Sequence, residues 1–153
     1  GCFLNKRLNR NNDGGTTRRT TDIFQLATTV LFQNPVQNFA LAPNNLKDVS
    51  PVCMDYMKTV PTTWDETCFI DGYPGKYVVL ARRHGDTWYL AAVNAGKEIV
   101  KLKLDLDMFA GKTVSLYKDD KKGEPQLVTL KVKESGKVQL EILPQGGVVL
   151  VNN

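Results

Sequence analysis

Histidine is almost missing from this chain: His84 is the only one in 153 residues. A Ser–His–Asp or Cys–His set would have to be built around it. It stands between Arg83 and Gly85 in what reads as a tight hairpin turn, where an exposed turn residue is expected rather than a general base or metal ligand. Cysteine is scarce as well. Cys2, Cys53 and Cys68 are an odd number without CxxC spacing. That excludes a zinc motif and a full disulfide set, and leaves buried or incidental thiols. No window approaches the ~18 to 20 uninterrupted apolar residues of a membrane span. A charged and then apolar leader is also missing. The chain opens at Gly1 without Met, so a leader or whole upstream domains can have been removed, and compartment stays open. Asp119-Asp120-Lys121-Lys122 lacks the DxDxDG order of a calcium loop. Gly72-Tyr73-Pro74-Gly75 reads as a turn, not as the start of a phosphate-binding helix.

Acidic residues are thin at the start of the chain. Lys6, Arg7, Arg10, Arg18 and Arg19 meet only Asp13 in the first twenty residues, and they account for much of the net charge of +4. Such an arm can bind phosphate backbones, but no aromatic beyond Phe3 interleaves with the charges. Nucleic acid is therefore not expected as a partner; a solvated or enzyme-docked loop is.

What is present falls into two halves with different periods. NRNNDGGTTRRTT is all turn formers and charges. From Thr21, Ile23, Leu26, Ala27, Val30 and Leu31 recur with helical spacing, Thr20 or Thr21 can cap, and Asn34-Pro35 stops the helix. Val36–Pro43 reads as a short buried strand. A second helix starts near Pro51, capped by Asp48 or Ser50. Loop, helix, strand, helix is the grammar of an α/β barrel, and one and a half such units cannot close one of eight. Alone, this segment would leave apolar faces uncovered.

After Gly75 the grammar changes. Seven strands are expected at 76–83, 87–94, 99–105, 113–117, 126–133, 137–143 and 147–151, separated by Gly-containing turns. VKLKLDL and LVTLKVK alternate between apolar and charged residues, the mark of strands with one face on a core. The fold class expected is therefore α+β: a helical first third, residues 1–62, and an antiparallel β-sandwich of about seven strands over residues 63–153.

Chemistry is hard to place on these residues. Asp65, Glu66 and Asp71 form the one remaining acidic cluster, and neighbours in an extended segment point to opposite sides. Turn capping, or pairing with Lys58, Lys76 or Arg82, is their expected use. Trp64, Tyr73, Trp88 and Tyr89 can form an aromatic platform for sugar rings, as in an independent carbohydrate-binding module. Trp88 and Tyr89 are adjacent, so one should face in and the other out. Trp64 and Trp88 are the stacking candidates under that alternative.

The string TWDETCFIDGYPGKYVVLARRHGDTWYLAAVN resembles the C-terminal part of glycoside hydrolase family 97. The likeness extends upstream through GCFLNKRLNRNNDGGTTRRTTDIFQLATTVLFQNPVQNFALAPNNL and downstream to PQGGVVLV, covering essentially the whole chain. The resemblance implies an enzyme with a large N-terminal β-sandwich, a catalytic (β/α)8 barrel and a small C-terminal β-sandwich. It implies hydrolysis of α-glucosides or α-galactosides, calcium near the active site, and a periplasmic or secreted bacterial location. Residues 1–62 would be the end of the barrel and residues 63–153 the C-terminal domain. No catalytic carboxylate or calcium ligand of the family falls within the chain, so the segment is expected to be structural and silent alone. Its partners would be the rest of the same enzyme and a second copy of it, with oligosaccharide bound by the whole protein. Asn44 and Asn45 follow the last expected barrel strand and can approach the substrate rim, as can the loop from Asn5 to Asn12 after the preceding one.

Overall fold

A computed structural model describes residues 2–4, 17–32, 35–41 and 43–153. β1 (Cys2–Phe3) and β2 (Phe39–Ala40) pair in parallel, Cys2 opposite Phe39, with α1 (Asp22–Leu31) between them in the chain. A 3-10 turn over Pro43–Asp48 leads to α2 (Pro51–Thr59). A short 3-10 turn over Asp107–Phe109 aside, the remaining elements are strands: β3 (Glu66–Tyr73), β4 (Tyr77–His84), β5 (Thr87–Asn94), β6 (Val100–Asp105), β7 (Thr113–Asp119), β8 (Pro125–Lys131), β9 (Lys137–Ile142) and β10 (Gly147–Asn152).

Six of them form one antiparallel sheet in the order β3-β4-β5-β10-β7-β8, and β6 pairs with β9 in a second. The sandwich therefore has eight strands among the described residues, not seven. The extra strand is β3, whose acidic residues and glycine hide its pattern and whose register shifts between Phe69 and Asp71. Such a bulge breaks the strict alternation that sequence reading depends on. The strand expected over residues 36–43 shrinks to β2. Helix α1 ends at Leu31, before Asn34-Pro35, because Phe32 is already extended (φ −96°, ψ 128°).

Two cores lie on opposite faces of the six-stranded sheet. Leu102, Leu104, Leu140 and Ile142 of the β6–β9 pair pack on Val79, Ala81, Leu90 and Leu150. On the other face, Ile23, Leu26 and Val30 of α1 and Tyr56 of α2 pack on Tyr89, Ala91, Val93 and Val149. The sheet thus covers the inner faces of α1 and α2, while Phe32, Val36 and Leu46 of the helical third stay exposed, at 62%, 60% and 48%. Central strands β5 and β10 are buried on both sides, which is why LAAV and GVVLV are continuous apolar runs rather than alternating ones. By contrast β6 and β9 alternate cleanly, buried at every second residue.

Glycine allows α1 to sit this close. A methyl group at Gly147 would lie 2.8 Å from the Cα of Phe24 and 2.9 Å from its nitrogen, both backbone atoms that cannot turn aside. Gly147→Ala should therefore lift α1 from β10 and lower stability by about 1–3 kcal/mol, the usual cost of overpacking. Urea denaturation followed by circular dichroism measures it; an unchanged midpoint would mean that the helix is not seated on the sheet.

Candidate functional site

The acidic cluster is spent on turns and ladders. Glu66 pairs with Arg83 at 3.3 Å, as their opposed positions in β3 and β4 require. Asp65 accepts the Gly85 N–H at 2.8 Å and lies 3.8 Å from Arg83. Asp71 accepts from its neighbour Gly72 at 2.8 Å and from the Tyr77 hydroxyl at 3.2 Å. The expected use holds, but the cation is Arg83, not Lys58, Lys76 or Arg82: Arg82 points to the opposite face of the sheet, and Lys58 sits 3.9 Å from Asp55. His84 is exposed at the end of β4, its Nδ1 2.8 Å from the Thr63 carbonyl oxygen.

The four candidate aromatics are not brought together. Trp64 packs edge-on against Tyr89, ring centres 5.3 Å apart, in the core beneath the helices. Trp88 packs in the core between the two sheets. One of the pair Trp88 and Tyr89 was expected to face solvent. Neither does so fully, because helices cover the second face of β5. Asn44 and Asn45 lie in the 3-10 turn after β2, with their side chains outside the description, and the loop from Asn5 to Asn12 lies outside the described residues altogether. Cys53 is buried and Cys68 half-buried. Among the described residues no group of three His, Cys, Asp or Glu side chains is arranged to hold a metal ion, and no helix is long and apolar enough to cross a membrane.

Three features escape the sequence. The first is a cleft of about 350 Å3 at the β3–β4 hairpin. Val78 and Val93 line it beside Gly72, and Phe69, Tyr73 and Lys76 stand around it. Phe69 is 68% exposed and Tyr73 58%. Phe69 alternates with the inward Cys68 and Ile70, a signal present in TCFI once β3 is recognised.

The second is Asp119, at the end of β7. Its Oδ2 accepts from the Thr21 hydroxyl at 2.9 Å and the Gly147 N–H at 3.1 Å, while the buried Oδ1 has no partner among the described residues. Thr21 is the N-cap of α1, accepting the Phe24 N–H at 3.1 Å, so one carboxylate joins the helix start to two strands. Burial pushes the Asp119 pKa up to about 6; the Gly147 and Thr21 hydrogen bonds oppose this, and Asp22 and Asp120 add to it. Asp22 is itself paired with Arg18. Asp120, out in the turn, is held below the usual range by the Glu124 and Lys122 N–H groups.

The third is Arg82, 5% exposed. Its Nη2 donates to the Leu31 carbonyl at 3.2 Å, while Nε and Nη1 have no acceptor among the described residues. The buried Trp64 Nε1 also has no acceptor among the described residues, and both side chains adjoin Tyr89, Arg82 as its cross-strand neighbour.

Two outcomes follow from these groups. Asp119 binds its proton more tightly folded than unfolded, so its contribution to stability falls as pH rises from about 4 through about 6. The full change is roughly 3 kcal/mol. Asp119→Asn should therefore stabilise the chain at pH 7.5, and that advantage should vanish by pH 4, as read from urea midpoints at both values. Arg82→Met removes a buried, under-paired charge of similar volume and should raise stability by about 1–3 kcal/mol. A lowered midpoint would show that the guanidinium is paired in solution.

Comparison with known proteins fits this geometry. Residues 63–152 match the family model described as glycosyl-hydrolase 97 C-terminal, oligomerisation. A retaining alpha-galactosidase of Bacteroides thetaiotaomicron is 29% identical over 135 residues, 82% of this chain and 20% of that protein. The crystal structure of a beta-arabinopyranosidase superposes with a TM-score of 0.94 at 85% identity, over 99% of this chain and 24% of that one. A glycoside hydrolase family 97 enzyme from Pseudoalteromonas sp. strain K8, in complex with acarbose, gives 0.81 at 26% identity, over 99% of this chain and 25% of its own. The chain thus spans a fifth to a quarter of the length of these relatives.

Proposed function

The chain belongs to glycoside hydrolase family 97, residues 63–152 being its C-terminal oligomerisation domain, and we propose that it is the C-terminal portion of an enzyme hydrolysing β-arabinopyranosides. The observation that carries this reading is the 85% identity, over 99% of the chain, to the beta-arabinopyranosidase. α-Galactosides are the runner-up, from the Bacteroides relative. The two are chemically close: an L-arabinopyranose ring has the hydroxyl pattern of D-galactopyranose without its hydroxymethyl group. α-Glucosides rank third.

In this reading residues 1–62 are the last elements of the catalytic (β/α)8 barrel and residues 63–153 the accessory sandwich. The parallel β1–β2 pair with α1 between them supports it, since parallel neighbours need such a crossover. The family match beginning at residue 63 supports it too. Glycoside hydrolysis needs two carboxylates facing one glycosidic bond, ~5 to 9.5 Å apart. Asp65, Glu66, Asp71 and Asp119 are instead tied to backbone, hydroxyl and Arg83 partners. The catalytic pair would therefore come from the rest of the enzyme, as would the ligands of any calcium, for which the described residues do not fit. The segment's own work is to support the barrel and join copies of the enzyme, in a periplasmic or secreted setting.

Aryl β-L-arabinopyranoside, α-D-galactopyranoside and α-D-glucopyranoside assays, run on the 153-residue chain and on the whole protein, test this. The whole protein should turn over the arabinopyranoside fastest and the chain alone none of the three. Calcium-dependent turnover by the pure chain would overturn the division of labour, and a preference for the galactoside would exchange the two leading substrates.

A further inference from the structure

We propose that the aromatic cleft at the β3–β4 hairpin is where a second copy of this chain docks, Phe69 and Tyr73 of each copy entering the cleft of the other. This rests on the assembly role of residues 63–152 and assigns it to a surface.

The surface is apolar in a place where the fold does not need it to be. Phe69 is the most exposed of the large hydrophobic side chains among the described residues, and Tyr73 shares its cleft. Both are held in place rather than loose. The Phe69 ring lies against Gly72, where an added methyl group would come within 3.3 Å of it, and the Lys76 ammonium sits 4.9 Å over the Tyr73 ring. Aromatic side chains fixed before contact lose little entropy on binding, and they dominate the centres of protein interfaces.

Chemistry selects the occupant. A sugar site needs several placed hydrogen-bonding groups around its stacking ring. This cleft offers valines, alanine, proline and glycines beside its aromatics, with Lys76 as its one charged member. An apolar protein surface fits it better, and the knobs and the hollow belong to one patch, as a two-fold contact requires.

The fold also fixes what kind of contact this is. β3 is the outer strand of the six-stranded sheet, with β4 on one side and no strand among the described residues on the other. An open edge invites endless strand addition. The bulge between Phe69 and Asp71 interrupts the ladder at the middle of that edge. Side-chain docking about a closed two-fold axis therefore replaces strand-to-strand extension. At the other edge β8 begins with Pro125 and has α2 packed beside it.

Sedimentation equilibrium of the 153-residue chain tests this, on the wild type, Phe69→Asp, Phe69→Ser, Tyr73→Asp and a control, Leu127→Asp, on the opposite edge. Circular dichroism verifies the fold of each. The wild type should self-associate, the Phe69 and Tyr73 variants should do so at least about thirtyfold more weakly, and the control should match the wild type. Self-association unchanged in both Phe69 variants overturns this surface and leaves the assembly role to another. A wild type that stays monomeric to millimolar concentration overturns both. If that monomer's Phe69 and Tyr73 ring resonances shift on titration with L-arabinose or galactose, the cleft belongs to a sugar instead.

Discussion

A six-stranded sheet with two apolar faces needs two covers, and the rest of this structure follows from how it obtains them. One cover is the small β6–β9 pair, whose alternating residues put a leucine-rich face on the sheet and a charged face in water. The other is α1 and α2. Removing the helices would expose Tyr89, Ala91, Val93 and Val149 at once, an area that a folded monomer rarely leaves open. The helical third is thus part of the sheet's own core, whatever else it contacts in a longer protein.

Seating a helix on a sheet brings polar backbone ends into the interior, and the buried polar groups cluster there for that reason. The first N–H groups of α1 need acceptors. Thr21 supplies one, and Asp119 holds Thr21 while also accepting from Gly147. A carboxylate that is largely buried beside other acids is a poor stabiliser at neutral pH, since desolvation outweighs the hydrogen bonds it makes. Its geometric role is clearer: it fixes the rotation of α1 on β7 and β10. Arg82 closes the other end by capping the Leu31 carbonyl at the last turn of the same helix. The two charged groups bracket α1, the acid at its positive end and the cation at its negative end, the signs that the helix dipole favours.

Much of this was legible from the residues. The helix caps, the alternation of VKLKLDL and the glycine turns locate both helices and seven of the strands. What stayed hidden has a common physical cause, the loss of periodicity. β3 carries a bulge, so its pattern slips midway. β5 and β10 carry no alternation because they have no wet face, and their continuous apolar runs were the sign that something covers both sides. The candidate site suffered in the same way. Alternation alone predicts one outward ring from Trp88 and Tyr89 because it does not reveal the helix layer, and Phe69 escapes because no strand of the sandwich is expected before residue 76. Asp119 sits among charged turn residues, and only the long-range contact with Thr21 distinguishes it from Asp120.

The distribution of exposed aromatics separates the two tasks of such a segment. Residues that hold the fold together are buried on both faces of the central strands, and the acids are committed to turns and caps. Two of the exposed aromatic side chains among the described residues, Phe69 and Tyr73, lie at the periphery, on the bulged edge strand. A bulge there has an energetic consequence beyond register. It removes the backbone contribution that would make strand addition strong and unselective, and it leaves recognition to ring shape and fit. Contact strength then depends on a few rigid aromatic side chains and contact number on symmetry. That combination yields a finite assembly from a sheet edge that would otherwise extend without limit.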